Sequence, residues 1–363
     1  KKVHMEKKIV IMAHNIREGG PLTILNNILK IIKNHKKSNF IIFVHKKKLL
    51  DQNKFSNNIK IIQIPNYKKN FLNRIYYDLF FFPNFSKSLN INLWISLQDT
   101  IPNIVAKKKI IYFHTPIGFY NMNWREIFFE PTSFIRSYYF KFIYKLARYR
   151  ESTIIVQQNW IKKSLNQKFK FKKILVNRPY NLENIKISSK KIINKEKIFF
   201  YPSLPRFQKN FEIIIHVCKI LKKYKFKVYF TFKKNENRYS RYIFNLSKNI
   251  PQIYLIGRKS HKQILSLYQR IDYLIFSSKL ETWGLPLSEA AQHSIPVLAP
   301  KLPYAQETLL GYNNKHLYNY NSNSLLKKMK YLLINKIASK KINKLENSKS
   351  KKKFEKYWNE IFN

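Results

Sequence analysis

The sequence predicts an α/β protein of two domains, each a parallel sheet covered by helices. Three observations carry this. The chain has 363 residues, about twice the usual domain length, so two domains with separate cores are expected, with a cleft between them. Short β-rich apolar runs alternate with amphipathic helical stretches, the pattern of βαβ units. The alternation also stops at a polar Lys/Ser/Asn-rich stretch, residues 181–197, and then restarts.

In the first series, strands are expected at Ile9–Ala13, Phe40–Val44, Ile59–Ile62, Leu93–Leu97, Ile110–Phe113 and Thr153–Val156. The second series places them at Ile198–Tyr201, Lys227–Phe232, Ile253–Ile256, Tyr273–Phe276 and Pro296–Ala299. Its helices fall at Asn210–Lys223, His261–Gln269 and Pro286–Gln292. The domains follow as 5–184, a linker at 185–197, and 198–337. Residues 338–363 form a basic segment and a terminal helix that can pack back on the first domain. Lys1–His4, ahead of Met5, are expected to carry no fold information, and no period of the solenoid or propeller kind is present.

Lys and Arg total 70 against 19 Asp and Glu, a formal charge of +51, while 45% of the residues are hydrophobic. The apolar content excludes a disordered basic chain. The charge predicts affinity for anions such as nucleotides, nucleic acid or acidic lipid surfaces. A bias toward Lys, Asn, Ile, Phe and Tyr, as AT-rich coding favours, accounts for the excess equally well. A nucleic-acid-binding protein is the rival class, but no recognisable motif interleaves aromatic and basic residues. Cys218 is the single cysteine, which excludes a disulfide framework and suits a reducing compartment. No apolar stretch reaches the ~18 residues of a membrane span and no signal-peptide core opens the chain, so a cytoplasmic protein with peripheral membrane contact is expected.

Two basic features bear on that contact. Residues 134–146 read as a helix with Ile135, Tyr138, Tyr139, Phe142 and Leu146 on one side and Lys141, Lys145 and Arg148 on another. Such a helix can lie on a membrane surface or pack on the sheet with solvated lysines. The low-complexity run at 338–353 can bind anionic head groups or simply be solvated.

The most informative stretch runs from Ser277 to Ala290, SSKLETWGLPLSEA, directly after an apolar strand and into a helix. In a parallel sheet this places Glu281 and the amides of Thr282, Trp283, Gly284 and Leu285 at the carboxyl ends of the strands, where open α/β sheets bind ligands. Pro286 suits the first helical turn because it lacks an N–H, and the free amides beside it can hold a diphosphate. A carboxylate is a good acceptor for vicinal hydroxyls.

Glu281 and Glu289 stand eight apart around Gly284-Leu285-Pro286, and this resembles the E-x7-E signature of the retaining family 4 glycosyltransferases, which have the two-Rossmann-domain GT-B fold. The resemblance implies that Glu281 contacts hydroxyls of a donor sugar, that Glu289 binds the ribose, and that the amides between them hold the diphosphate. Trp283 stands where the family commonly has Phe. Gly257-Arg258 resembles the family's loop beside the nucleotide base. Lys209, after the first strand of the second half, fits the phosphate-binding Lys, whereas Arg206 is shifted from the usual Arg position. In the first half, Gly19-Gly20 matches the glycine loop beside the reaction centre, and His114 the His that faces the donor sugar.

The implied activity is metal-independent transfer of a sugar from a UDP- or GDP-linked donor to a glycan or lipid-linked acceptor, in bacterial lipopolysaccharide, O-antigen or capsule synthesis. No cofactor is implied, and the chain lacks metal-ligand spacings and a DxD pair. The other enzyme readings are a related GT-B epimerase or phosphorylase.

Overall fold

The computed structural model describes residues 7–47, 50, 55–180, 196–335 and 347–363. The expected linker, apart from residues 196 and 197, lies outside the described residues, as do residues 338–346 of the basic segment and the Arg148 side chain. Contacts divide the chain into two units. The first comprises Lys1–Phe119, Ser137–Leu182 and Ser348–Asn363; the second comprises Tyr120–Arg136 and Glu183–Asn347. Each unit therefore takes in a segment from the far half of the chain.

The first unit holds seven strands, β1 (Lys7–Ala13), β2 (Ser38–Val44), β3 (Ile59–Gln63), β4 (Leu93–Ser96), β5 (Lys108–Tyr112), β6 (Thr153–Val156) and β7 (Lys173–Val176). They pair in the order β3-β2-β1-β4-β5-β6-β7, all parallel, with Ile9 opposite both Phe40 and Leu93. Being buried on both faces, the strands read as near-continuous apolar runs. Alternate residues feed two cores. Ile9, Ile11, Ile42 and Ile95 pack on one face, and Val10, Met12, Phe43 and Trp94 on the other. The helix Asn347–Phe362 covers the first face, burying Phe354, Trp358 and Phe362 at four-residue spacing.

The second unit holds six strands, β8 (Lys197–Tyr201), β9 (Phe226–Phe230), β10 (Ile253–Leu255), β11 (Tyr273–Ile275), β12 (Val297–Pro300) and β13 (Lys315–Tyr318). Their order is β10-β9-β8-β11-β12-β13, again parallel throughout. Both sheets match the expected α/β architecture. The runs that become β7 and β13, KILV and KHLY, are too short and too Lys/His-bearing to stand out as apolar.

In each sheet the chain moves outward from its first strand in one direction and then returns to the other side. The strand order thus reverses between β1 and β4 and between β8 and β11. A crevice opens at the carboxyl ends of the strands at such a point. Cys218 sits buried in the helix Phe211–Ile220, where burial raises its thiol above the usual range. Among the described residues, no helix is long and apolar enough to cross a membrane.

Candidate active site

In the second unit, the loops after β8 and β11 flank the reversal point and are tied together by backbone contacts. Lys279 N donates to Gln208 O at 2.7 Å. Ser277 Oγ donates to the carbonyls of Lys209 and Asn210, each at 2.9 Å, and Tyr201 OH donates to Lys209 O at 2.8 Å. Asn210 adopts a left-handed conformation, φ 48°, which Asn tolerates better than most residues. This kink ends the turn Phe207–Lys209 and starts the helix Phe211–Ile220.

The result is a direct ion pair between Lys209 Nζ and Glu281 Oε1, the two side chains only 18% and 15% exposed. Residues 72 positions apart in sequence thus meet at the carboxyl end of the sheet. Arg206 takes part through its backbone: its carbonyl accepts from Lys209 N at 2.9 Å.

Glu289 is held differently. It lies in the helix Leu285–Gln292, buried, with Oε1 at 3.0 Å from His261 Nε2. Its Oε2 accepts from Tyr268 OH at 3.1 Å. Burial first, and then the adjacent carboxylate, push the Tyr268 phenol far above its ordinary range, so Tyr268 stays a donor. Two fixed donors on different oxygens orient the Glu289 carboxylate and leave lone pairs for hydroxyls.

Between the two carboxylates, Gly284 caps the helix with φ 79° and ψ 63°, a left-handed conformation that glycine adopts at least cost. A Cβ there would lie 3.1 Å from Leu287 Cδ1. Pro286 occupies the first turn, so the amides around Thr282–Leu285 open toward the end of the helix. Trp283 is buried, its Nε1 donating to Ser288 Oγ at 3.1 Å, and Thr308 Oγ1 donates to its carbonyl. Its ring is thus a packing element, and what it offers a ligand is backbone. Arg258 Nε donates to Glu236 Oε2 at 2.8 Å, beside Gly257, which has φ 71°.

Segment 120–136 supports this site, a feature that the sequence did not disclose. Glu126 is 1% exposed, within 2.7 Å of Lys279 Nζ, and accepts from Tyr120 OH and from Asn123 N. Glu130 Oε1 accepts from Phe207 N at 2.8 Å, and Phe129 packs against Phe207, Tyr239 and Tyr242. Two carboxylates from the first half of the chain thereby brace the two loops that present Lys209 and Glu281.

The first unit gathers polar side chains at the equivalent edge of its own sheet. Gly19, φ 71°, and Gly20 open the helix Gly19–Ile32 after β1. Asp99 is buried with φ 63°, and its Oδ1 accepts from the amides of His114 and Thr115 at 2.5 and 2.9 Å. Gln98 Oε1 accepts from Asn15 N at 3.2 Å, and its amide lies 3.3 Å from His14 Nε2. Packing around the His114 ring pushes its imidazole down to about 3, so it is neutral at physiological pH. Gln98 and Asp99 could have been suspected from a polar pair closing an apolar strand, but nothing in sequence links them to His14 and His114.

Among the described residues, no group of three His, Cys, Asp or Glu side chains is placed to hold a metal ion.

With this geometry in view, the comparisons with known proteins can be set beside it. Residues 183–352 match the family model of the glycosyl transferases group 1. An uncharacterised glycosyltransferase of Methanocaldococcus jannaschii is 27% identical over 177 residues, 48% of this chain and 47% of that protein. The chain thus matches about half the length of this curated relative. Among solved structures, a glycosyltransferase from Rickettsia africae superposes with a TM-score of 0.62 at 18% identity, over 99% of this chain and 93% of that one. WaaG, a glycosyltransferase involved in lipopolysaccharide biosynthesis, gives 0.64 at 11% identity, over 98% and 95%. HepE of Anabaena, solved with UDP and glucose, gives 0.64 at 14% identity, over 98% and 94%. The structural likenesses establish the GT-B-like fold, and the match to the glycosyl transferases group 1 covers residues 183–352.

Proposed function

We propose that the chain is a retaining, metal-independent glycosyltransferase. It moves a sugar from a UDP- or GDP-linked donor to a glycan or lipid-linked acceptor in bacterial surface-polysaccharide synthesis, working in the cytoplasm against the anionic face of the inner membrane. The observation that carries this reading is the joint placement of the Lys209–Glu281 pair and the anchored Glu289 on either side of Gly284, at the reversal point of the second sheet.

Each group has a task that its surroundings suit. Glu289, fixed by Tyr268 and His261, accepts from the ribose hydroxyls. The amides of Thr282–Leu285 and the helix end favour the diphosphate. Glu281 accepts from hydroxyls of the donor sugar, a binder and not a nucleophile. As the bond between the anomeric carbon and the phosphate oxygen breaks, negative charge arrives on the diphosphate, the acceptor oxygen bonds to that carbon, and the acceptor's hydroxyl proton passes to the departing phosphate oxygen. Lys209, with Arg206 beside it, stabilises that charge in place of a metal ion. Gly257 and Arg258 are assigned to the nucleotide base, and Gly19, Gly20 and His114 to the reacting sugar. The lipopolysaccharide role of WaaG and the UDP complex of HepE support the acceptor and donor classes by analogy alone.

The test is thermal stabilisation by a panel of nucleoside diphosphates, without metal, on the wild type and on Glu289→Ala. One nucleotide should raise the midpoint of the wild type and fail to raise that of the variant. Equal stabilisation of both proteins would refute the assignment. Release of free nucleoside diphosphate only when acceptor is present would separate transfer from epimerisation.

A further inference from the structure

We infer that Asp99 is a positioning residue of the first unit: it fixes the backbone at His114, and through it the imidazole, while its neighbour Gln98 fixes the loop that leads to Gly19-Gly20. This rests on the assignment of His114 to the reacting sugar and names the group that holds it in place.

Asp99 has φ 63°, in the left-handed region that side-chain-bearing residues enter at a cost and that Asp tolerates better than most. Such a conformation persists only where the surroundings over-determine it, and it concentrates at functional sites. Here the surroundings do so. Asp99 is buried, and its N donates to Tyr112 O at 3.4 Å. On either side, Ser96 Oγ donates to Thr100 O at 2.5 Å and Ile101 N to Tyr149 OH at 3.2 Å.

This turn of the backbone delivers the carboxylate to the loop after β5. Both of its amide bonds, from the consecutive residues His114 and Thr115, fall on the single oxygen Oδ1. Hydrogen bonds to an ionised acceptor are roughly twice as strong as neutral ones, and two that converge on one atom leave the peptide between His114 and Thr115 little freedom to rotate. Pro116 follows and opens the turn Pro116–Phe119, so these are the last two amides before that turn. The His114 ring is held separately. The Leu97 carbonyl accepts from it, and it lies against Tyr112 with ring centroids 4.7 Å apart.

Leu97 N in turn donates to Met12 O at 2.9 Å, and Gln98 contacts Asn15 N and His14 Nε2. Three consecutive residues, 97–99, thus hold both loops of the first unit that are assigned to the reacting sugar. A neutral imidazole that donates to Leu97 through one nitrogen is a single tautomer with a lone pair on the other, an acceptor for a sugar hydroxyl. Tilting the peptide after His114 would redirect that lone pair without removing any group, and a misplacement of about 1 Å is enough to lower a rate about 100-fold.

The experiment uses the full chain with Asp99→Asn, Asp99→Gly, His114→Ala and the double variant Asp99→Gly/His114→Ala. Asn tolerates the left-handed backbone and keeps an acceptor oxygen, whereas Gly takes that backbone readily but offers no acceptor. One readout is the nitrogen-15 signal pair of the His114 ring, identified by its loss in His114→Ala. The other is release of nucleoside diphosphate from UDP-glucose and GDP-mannose, with water in the place of the acceptor. Wild type and Asp99→Asn should show one neutral tautomer and turnover within about threefold of each other. Asp99→Gly should show averaged ring signals and turnover lowered about 10–100-fold, with nucleotide-induced stabilisation as in wild type, because the proposed nucleotide site lies in the second unit. The double variant should turn over no more slowly than His114→Ala, since the two residues act as one.

Single-tautomer ring signals retained in Asp99→Gly would overturn the inference. So would losses that multiply in the double variant, or equal losses in Asp99→Asn and Asp99→Gly, which would assign the effect to charge instead of position. Absence of nucleoside diphosphate release from the wild type would count against the glycosyltransferase reading, and the ring signals would still decide whether Asp99 holds His114.

Discussion

The Lys209–Glu281 pair sits at the centre of the proposed chemistry, and its energy can be bracketed from its surroundings. With side chains 18% and 15% exposed, it lies between exposed pairs, which couple by about 0.2–1 kcal/mol, and buried ones, where removing a partner costs about 3–5 kcal/mol. A coupling of about 1–2 kcal/mol follows. The assay is urea unfolding of the wild type, Lys209→Met, Glu281→Gln and the double variant, closing a thermodynamic cycle. The single changes should each cost more than their share of the double change. Activity adds a second axis. If Lys209 neutralises the leaving diphosphate, Lys209→Met should lower turnover about 10²–10³-fold, the range found when one preorganised donor to developing charge is removed. A coupling below about 0.3 kcal/mol would show that the pair does not hold in solution. Turnover in Lys209→Met within threefold of wild type would remove Lys209 from the mechanism whatever the cycle gave.

Other expectations follow from the same structure. Trp358 is fully buried, and among the described residues its Nε1 has no hydrogen-bond partner. Trp358→Ala should therefore cost about 3–5 kcal/mol in the unfolding of the first unit, and Trp358→Phe clearly less, as calorimetry would show. His114, with its imidazole pushed down to about 3, stays neutral in the folded chain, while the unfolded chain takes up a proton below about 6.5. Its stabilising share is thus present above pH 6.5 and is lost toward pH 3 at about 1.4 kcal/mol per pH unit. His114→Gln should flatten the acid limb of the stability profile, and an unchanged slope would count against the assignment. Gly284→Ala should cost about 1–2 kcal/mol through its φ of 79° and weaken nucleotide-induced stabilisation, measured as a smaller midpoint shift.

Much of the fold was legible in the sequence because parallel strands buried on both faces must be apolar throughout. The runs at Ile9–Ala13 and Tyr273–Phe276 show this directly. KILV and KHLY escaped because edge strands bury less and can carry Lys and His. In the candidate site, Glu281, Glu289 and Lys209 were singled out by their resemblance to a family motif, and the structure pairs Lys209 with Glu281. Their other partners were not legible, since Tyr268, His261 and Glu126 owe their roles to contacts 21, 28 and 153 residues distant. Trp283 shows a further limit: sequence places it in the loop but cannot tell a ring turned toward a ligand from one packed against Ser288. Helix Pro131–Ile143 shows another, because periodicity locates its apolar stripe without saying whether a sheet or the solvent lies opposite.

The helix that carries Phe354, Trp358 and Phe362 also sets an order of events during synthesis. One face of the first sheet is packed early by the helix Gly19–Ile32, but its cover is completed only once residues 347–362 have been made. The second unit, including its own borrowed segment 120–136, is complete some residues sooner. The first unit is therefore completed only after the second unit has been made, and part of one apolar face stays uncovered while the second unit folds. A chain ending at residue 335 should accordingly yield a folded second unit attached to a first unit that binds chaperones and hydrophobic dyes.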